Sequence, residues 1–451
     1  ISTPPNVILW SWDALQRNHC LELLNRGEMP NLKALIQEGA FLNLTIVDHR
    51  TDTKAGHAQM LTGYRWYRTG VFSNEMFFTP IPNGYTLLER VEGYFGKERV
   101  ATCMITGKKG NLEVDPVIQG KYCRKGIFSN VPEDIDVISV TGDNSSLVGP
   151  RIVDFLDRYG GSFFVAFFHF LEPDHEGHRY GENSRQYEEG AKGDDFWLGL
   201  VVQKLKDMKV YDNTLIYVTA DHGFDEGKTS HSNAPFVWLA TNDKRLKVNE
   251  RESWCDLVDA APTIYYALGI DTGKFAPLLD GYPLQLPLPV GVAESRERAF
   301  NDIALPTASV ASPADRAVIT QGQRVIINFT AADDNLIVVL LLINDTLTET
   351  YERQVKGNWI QDKVVHFSGL YGWDTTNLKE GTYTIIVIAF DEGPNSLPPE
   401  VQNTKGTAQK RINITMKKKE EVLGGLGIPL VAGVSVFTVI AVATYIISKR
   451  R

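Results

Sequence analysis

The segment FFVAFFHFLEPDHEGH, residues 163–178, decides the fold of the first part of the chain. Its first half is a continuous apolar run, which is typical of a strand that is buried on both faces of a parallel sheet. Asp174 and His178 follow directly after this run. Because the carboxyl ends of parallel strands line a ligand crevice, the segment predicts an α/β sheet and a functional site at its edge.

Similar apolar runs alternate with helical patterns through residues 1–305. We predict strands at 6–12, 100–106, 135–141, 163–171, 215–220 and 236–240, and helices at 31–39, 147–159, 184–208 and 256–268. This alternation indicates an α/β domain with a mostly parallel sheet that helices cover on both faces.

The composition indicates an ordinary globular protein of several domains. The chain has 451 residues, of which 43% are hydrophobic and 22% charged, and its formal net charge is -9. These proportions exclude a disordered or collagen-like chain. The acidic balance argues against binding to a nucleic-acid duplex, because phosphate neutralisation requires clustered Lys and Arg.

Beyond Pro306 the pattern changes to alternating strands with turn signals and no amphipathic helix. We predict a β-sandwich at 306–416. The segments SPADRAVI, TAADDN and WDTTNLKEGTYTIIVIAFDE resemble the immunoglobulin-like modules of prokaryotic surface proteins. A spacer role above a membrane is favoured over ligand binding.

The stretch 422–448 contains no charged residue and is followed by three basic residues at 449–451. About 20 apolar residues suffice to cross a bilayer, and a basic cluster marks the cytoplasmic side. We therefore expect a single membrane-spanning helix, a short cytoplasmic tail, an extracellular catalytic domain and a signal peptide already removed. A cleaved sorting tail and a buried helix are the alternatives. Five glycosylation sequons fit a surface glycoprotein: Asn43, Asn144, Asn328, Asn344 and Asn413.

Two further predicted strands end in residues that can bind metal. Asp13 follows the first strand, and Asp221 and His222 follow the strand at 215–220, with His231 in the next loop. Each of these residues alone fits a helix cap, a turn or a structural histidine. Together with Asp174 and His178 they are the oxygen and nitrogen ligands that a divalent cation requires.

The order of these motifs resembles the alkaline phosphatase superfamily, and within it the type I phosphodiesterase/nucleotide pyrophosphatase branch. The matching segments are MPNLKALIQEGA, TDTKAGHAQMLTGY, TGVFSNEM, EPDHEGHRYG, TADHGF and DLVDAAPTIYYALGI. The resemblance implies two metal sites. One would use Asp174, His178 and His231, and the other Asp13, Asp221, His222 and the hydroxyl oxygen of Thr53. These ligands suit Zn²⁺ best, while Mn²⁺ and Fe remain open.

The resemblance also implies Thr53 as the nucleophile, with Thr51 as the rival hydroxyl two residues earlier. Asn74 corresponds to the branch's donor to a non-bridging phosphoryl oxygen. Lys54 stands where the branch usually has an aromatic residue, so it either attracts an anionic substrate or is solvated. His57 is expected to be structural. A sulfatase is disfavoured, because Thr cannot become formylglycine.

We therefore predict a cell-surface, two-metal hydrolase of small phosphoric esters that forms a phosphothreonine intermediate. Within the enzyme class, a phosphomonoesterase or a phosphonate hydrolase is the alternative. From another class, a surface scaffold or adhesion protein without turnover is the alternative. The pairing of Cys20, Cys103, Cys123 and Cys255 stays open, with three pairings possible.

Overall fold

The computed structural model describes residues 4–74, 81–112, 127, 137–140, 142, 144–246, 254–302, 304–333, 336–344, 346–352, 366–391 and 407–419. The strands of the first sheet are β1 (Asn6–Trp12), β2 (Ala40–Thr45), β3 (Ala101–Thr106), β4 (Val137–Val140), β5 (Phe164–Phe170), β6 (Thr214–Thr219) and β7 (Phe236–Thr241).

The sheet has β1 at its centre, in the order β2-β7-β6-β1-β5-β3-β4. Strand β1 pairs in parallel with β5 and β6, and β3 pairs in parallel with β5 and β4. Strand β7 runs antiparallel to both of its neighbours. The predicted α/β class and the mostly parallel sheet are therefore confirmed, and the sheet is mixed at one edge.

The helices of this domain are α1 (Arg17–Arg26), α2 (Pro30–Glu38), α3 (Thr53–Thr62), α4 (Trp66–Thr69), α5 (Leu87–Phe95), α6 (Ser145–Tyr159), α7 (Asp174–Tyr180), α8 (Arg185–Asp207), α9 (Ala260–Ala267) and α10 (Val292–Asn301). Short 3₁₀ turns lie at Tyr211–Asn213, Lys244–Leu246, Leu257–Asp259 and Thr272–Lys274. The predicted helix at 256–268 thus begins with a 3₁₀ turn before α9 continues it.

Helices cover both faces of the sheet, as β1 shows. Val7 and Leu9 belong to a core with apolar side chains of α3, α5 and α9. Ile8 and Trp10 belong to the opposite core, with side chains of α1, α2, α6 and α8. Because successive side chains of a strand point to opposite faces, a continuous apolar run is what this two-sided burial requires.

A buried network of charges ties α10 and the turn before α9 to the chain around α3. Arg65 Nη1 lies 2.8 Å from Asp48 Oδ1, and its Nη2 donates to Asp256 Oδ2 at 3.0 Å. Arg296 donates to both carboxylate oxygens of Asp259, at 2.7 and 2.8 Å. Buried charges are tolerated when they are paired in this way. The network therefore holds the later part of the domain against the segment that carries Thr53.

Beyond residue 306 the described chain consists of strands β8 (Thr307–Ser312), β9 (Val318–Thr320), β10 (Arg324–Ala332), β11 (Leu336–Ile343), β12 (Thr346–Glu352), β13 (Phe367–Asp374), β14 (Gly381–Asp391) and β15 (Thr407–Lys417). They form a three-stranded sheet, β13-β10-β8, and a five-stranded sheet, β12-β11-β14-β15-β9. Phe329 and Trp373 of the first sheet share one core with Ile385 and Ile414 of the second. The immunoglobulin-like assignment and the spacer role stay predictions.

Several predictions fall wholly or partly outside the described residues. The predicted membrane span at 422–448 and the basic tail at 449–451 are among them. In the part of the chain that the structure describes, no helix has the length and apolar character needed to cross a membrane. Cys20, Cys103 and Cys255 are buried, and Cys123 lies outside the described residues, so the pairing stays open.

The close approach of α3 to the sheet generates a prediction about Gly56. A Cβ added there would lie 2.2 Å from the carbonyl oxygen of Asp221, which is main chain and cannot rotate away. We expect Gly56→Ala to lower the melting temperature, as overpacking costs typically about 1–3 kcal/mol. Gly93→Ala is the control, since nothing lies within 4 Å of an added Cβ there. The Gly93→Ala variant should gain about 0.5–1 kcal/mol of stability, because Ala has a higher helix propensity than Gly. Equal melting temperatures for the two variants would contradict the prediction.

Candidate metal centre

Four neighbouring strands deliver polar side chains to one edge of the sheet. Asp13 follows β1, Lys108 follows β3, Asp174 opens α7 shortly after β5, and Asp221 follows β6. The main chain locks two of them together, because Asp13 N–H donates to Phe170 O at 3.1 Å and Asp174 N–H donates to Asp13 O at 3.0 Å. The predicted convergence at the carboxyl ends of the strands is what the structure has.

Asp174, His178 and His231 form what we call the outer group. One ligand atom of each lies within 4.8 Å of the others. Asp174 Oδ1 is 3.3 Å from His178 Nε2 and 3.6 Å from His231 Nε2. His178 sits one helical turn after Asp174, so both project from the same face of α7. The residues predicted for the first metal site are thus brought together.

Main-chain carbonyl groups orient both imidazoles of the outer group. His178 Nδ1 donates to Thr229 O at 2.9 Å, and His231 Nδ1 donates to Thr51 O at 2.6 Å. Because Nδ1 carries the proton in each of these bonds, Nε2 of the neutral ring carries the lone pair, and the two Nε2 atoms lie 3.1 Å apart. Histidines that bind metals are commonly oriented in this way.

Asp13, Asp174 and His222 form the inner group, with one ligand atom of each within 4.8 Å of the others. His222 Nδ1 donates to Gly223 O at 2.8 Å, which leaves Nε2 facing Asp13. Asp221 adjoins this group, since its Oδ2 is 3.4 Å from His222 Nε2. The grouping differs from the predicted second set in one respect: Asp174 contributes to both groups.

Thr53 lies at the first position of α3, and its side chain points into the inner group. Its Oγ1 is 3.4 Å from His222 Nε2 and 2.9 Å from Lys108 Nζ. Thr51, the rival hydroxyl, instead donates to the carbonyl oxygen of His231. Of the two hydroxyl groups, that of Thr53 is therefore the one beside the candidate ligands.

Asn74 and Lys54 flank the start of α3. Asn74 Oδ1 accepts from the Lys54 N–H at 2.9 Å, and Asn74 N–H donates to Asp52 Oδ2 at 3.0 Å. This arrangement holds the Asn74 amide beside the first turn of the helix. The Lys54 side chain is only 3% exposed, so the alternative of a solvated lysine is wrong.

Two residues of the site were missed by the sequence analysis. Lys108 Nζ donates to Asp13 Oδ2 at 2.9 Å and to Asp174 Oδ2 at 2.6 Å. His169 Nε2 lies 3.0 Å from Asp13 Oδ2. Lys108 could have been found by the rule that identified Asp13, because it also follows a buried strand. His169 is a single polar residue within the apolar run of β5.

The pKa values of these acids are shifted in opposite directions by their surroundings. Burial raises the pKa of Asp13 to about 7, and the charge of Asp221 adds to the rise. Burial acts in the same sense on Asp174, but the charge of Lys108 and the nearby His178 imidazole outweigh it and hold the pKa of Asp174 well below its usual value. Burial lowers the pKa of His222, which favours the neutral imidazole that a metal requires.

The donor set fits divalent cations. Asp13 Oδ1, Asp174 Oδ1 and Asp221 Oδ2 are buried and have no hydrogen-bond partner among the described residues. Buried acceptors without a partner are rare, and each invites an explanation such as an ion. Carboxylate oxygens with imidazole nitrogens are ligands that zinc and related transition metals take.

His57 packs against residues of the site and is not among the grouped ligands, in agreement with its predicted structural role. Its Nδ1 lies 2.7 Å from Thr53 O and 3.3 Å from Asp221 Oδ2, and its Nε2 lies 2.9 Å from Ser11 Oγ. The ring is fully buried. His57 therefore links the main chain of the Thr53 helix to Asp221.

Comparison with known proteins supports the predicted class. The sequence profile of the family described as Type I phosphodiesterase / nucleotide pyrophosphatase matches residues 133–274. This range contains Asp174, His178, Asp221, His222 and His231. Asp13, Thr53 and Asn74 precede it, so their place in the site rests on the geometry.

Curated relatives include the bis(5'-adenosyl)-triphosphatase of Xenopus laevis, 24% identical over 250 residues, which are 55% of this chain and 51% of that protein. The Homo sapiens enzyme of the same name is 22% identical over 50% of this chain and 49% of its own length. The chain spans about half the length of these relatives. Among solved structures, the phosphonate monoester hydrolase of Silicibacter pomeroyi is 14% identical, with 79% of this chain and 90% of that chain covered and a TM-score of 0.42.

These comparisons support the predicted class, since the chain is similar to phosphodiesterases and nucleotide pyrophosphatases. The mixed α/β fold agrees with that class. The metal, the nucleophile and the cell-surface location are taken up as proposals in the next subsection.

The outer group generates a prediction about metal binding. His178→Ala should lower zinc affinity by at least about tenfold, because even the loss of a group that only orients a ligand costs this much. His175→Ala is the matched control: it lies on the same helix, and its side chain is 58% exposed and pairs with Glu176. Calorimetric titration of chelator-treated protein measures both. Equal zinc affinity in the two variants would contradict a metal at the outer group, and a wild type without zinc binding would favour the scaffold alternative.

Proposed function

We propose that the protein is a two-metal hydrolase of phosphoric esters, with Thr53 as the nucleophile. The observation that carries the proposal is the placement of Thr53 Oγ1 at 3.4 Å from His222 Nε2 in the inner group, which shares Asp174 with the outer group. The outer group would hold one cation, and Asp13 and His222 with the adjoining Asp221 and Thr53 would hold the other. Zn²⁺ is the metal that the ligand types favour.

Bound divalent cations in such a pair of sites neutralise phosphoryl charge and lower the pKa of a coordinated hydroxyl. Thr53 Oγ1 would attack the phosphorus, forming an O–P bond while the bond to the leaving alcohol breaks. The proton of Thr53 passes to solvent, and the leaving oxygen takes up a proton. Water then attacks the phosphothreonine, which restores Thr53 and releases a phosphomonoester or phosphate.

Asn74 is proposed to stabilise the phosphoryl group. Its Oδ1 accepts from the Lys54 N–H, so its amide nitrogen is the donor for a non-bridging phosphoryl oxygen. Such a preorganised donor in a site that excludes water stabilises the charge that develops in the transition state. Asn74→Asp would keep the size of the side chain while replacing this donor.

The substrate is proposed to be a small phosphoric ester. The names of the curated relatives favour diesters and dinucleoside polyphosphates. A phosphomonoesterase or phosphonate hydrolase is the alternative within the class. Comparison of kcat/KM on bis-nitrophenyl phosphate, mono-nitrophenyl phosphate and a dinucleoside triphosphate separates these possibilities.

Placement at the cell surface, with the span at 422–448 as anchor, is a further part of the proposal. The uncharged run and the flanking basic residues support it. Protease treatment of intact cells that carry the full chain tests it. The domain at 1–305 should be digested, and a protected domain would contradict the proposed orientation.

The nucleophile generates the central prediction. Thr53→Ala should lower kcat on a chromogenic phosphodiester by at least about 10³-fold, because the covalent route is lost. Thr53→Ser keeps a hydroxyl and should retain measurable turnover. Zinc content, measured in parallel by metal analysis, should stay above half of the wild-type value, since the Asp and His ligands remain. Thr53→Ala protein with normal turnover would show that another group attacks the phosphorus.

A further inference from the structure

Lys108 holds a position that neither the proposed metal ligands nor the proposed nucleophile explains. Its ammonium donates to Asp13 Oδ2 at 2.9 Å, to Asp174 Oδ2 at 2.6 Å and to Thr53 Oγ1 at 2.9 Å. A lysine ammonium has three N–H donors and no acceptor. All three hydrogens of Lys108 are thus directed at carboxylates of the inner group and at the adjoining Thr53.

The two carboxylate oxygens of Asp174 face in different directions. Oδ1 faces His178 and His231 in the outer group, at 3.3 and 3.6 Å, whereas Oδ2 accepts from Lys108. A cation in the outer group can therefore use Oδ1 without disturbing the lysine. A cation in the inner group would compete with the ammonium for the carboxylates of Asp13 and Asp174.

We propose that Lys108 is the internal counter-cation of the inner group, and that a divalent cation binding there has to displace its ammonium. The inner group is fully buried and carries two carboxylates with a third, Asp221, beside it. Like charges at such distances repel strongly where water is excluded. The lysine charge offsets this repulsion and thereby stabilises the folded protein before metal is bound.

The side chain of Lys108 is not fully enclosed. It is 21% exposed, in contrast to the buried Asp13 beside it, so part of the side chain already reaches solvent. Binding is then expected in two steps, a tight one at the outer group and a weaker one at the inner group. The second step is weaker because part of its binding free energy is used to displace the Lys108 ammonium, whereas the first step has no such cost.

Lys108→Met tests the proposal, since Met has a similar length and no charge. Zinc titration of chelator-treated full-length protein should show the second step tightened by at least about tenfold, and by more than the first step, because no ammonium then has to be displaced from the inner group. The melting temperature of the metal-free variant should fall, because three hydrogen bonds and a charge that offsets repulsion are lost.

Two further variants keep the test decisive. Lys109→Met is the matched control, because the neighbouring Lys109 is exposed, and both readouts should equal the wild type. Lys108→Arg keeps the charge and should keep the weak second step. A second step that is unchanged or weakened in Lys108→Met would overturn the proposal.

The inference rests on the proposed function only in that both groups bind metal. If the wild type binds no zinc, the proposed function fails, while the melting temperature of metal-free protein still tests the counter-cation. An unchanged melting temperature in Lys108→Met would then overturn that role as well.

Discussion

The mutual repulsion of Asp13, Asp174 and Asp221 is the constraint on which the rest of the site depends. These carboxylates are buried at the ends of β1, β5 and β6, where little water is available to screen them. Each is offset by a particular neighbour: Lys108 for Asp13 and Asp174, and His57 for Asp221. Cations of either kind, the protein's own or bound metal, would therefore stabilise this edge of the sheet.

The order of the elements around the site is what brings these acids together. Parallel strands can bring residues from distant parts of the chain to one edge only if helices return the chain to the opposite edge each time. The alternating strands and helices supply this return, and the helices bury both faces of the sheet. The acids are thus held by main-chain bonds between neighbouring strand ends, such as those joining Asp13, Phe170 and Asp174.

Much of the fold and of the candidate site could be predicted from the sequence. The strand at 6–12 and the helix at 184–208 were recognisable because apolar periodicity reports burial directly. The outer group was recognisable through the family resemblance, which implies one metal site of Asp174, His178 and His231. Strand β2 was missed, since it is an edge strand with Asn43 exposed in its middle. Which oxygen of Asp174 faces which partner depends on side-chain conformations, and no pattern in the sequence reports these.

Helix α3 was missed for a reason that bears on how Thr53 works. Every residue from Thr53 to Thr62 is buried, so the helix has no polar face and no amphipathic period. A helix without a solvent face has no route to fray or tilt on its own, and its amide hydrogens can exchange only when the surrounding domain opens. The Thr53 side chain therefore projects from a helix that is held by the surrounding core along its whole length.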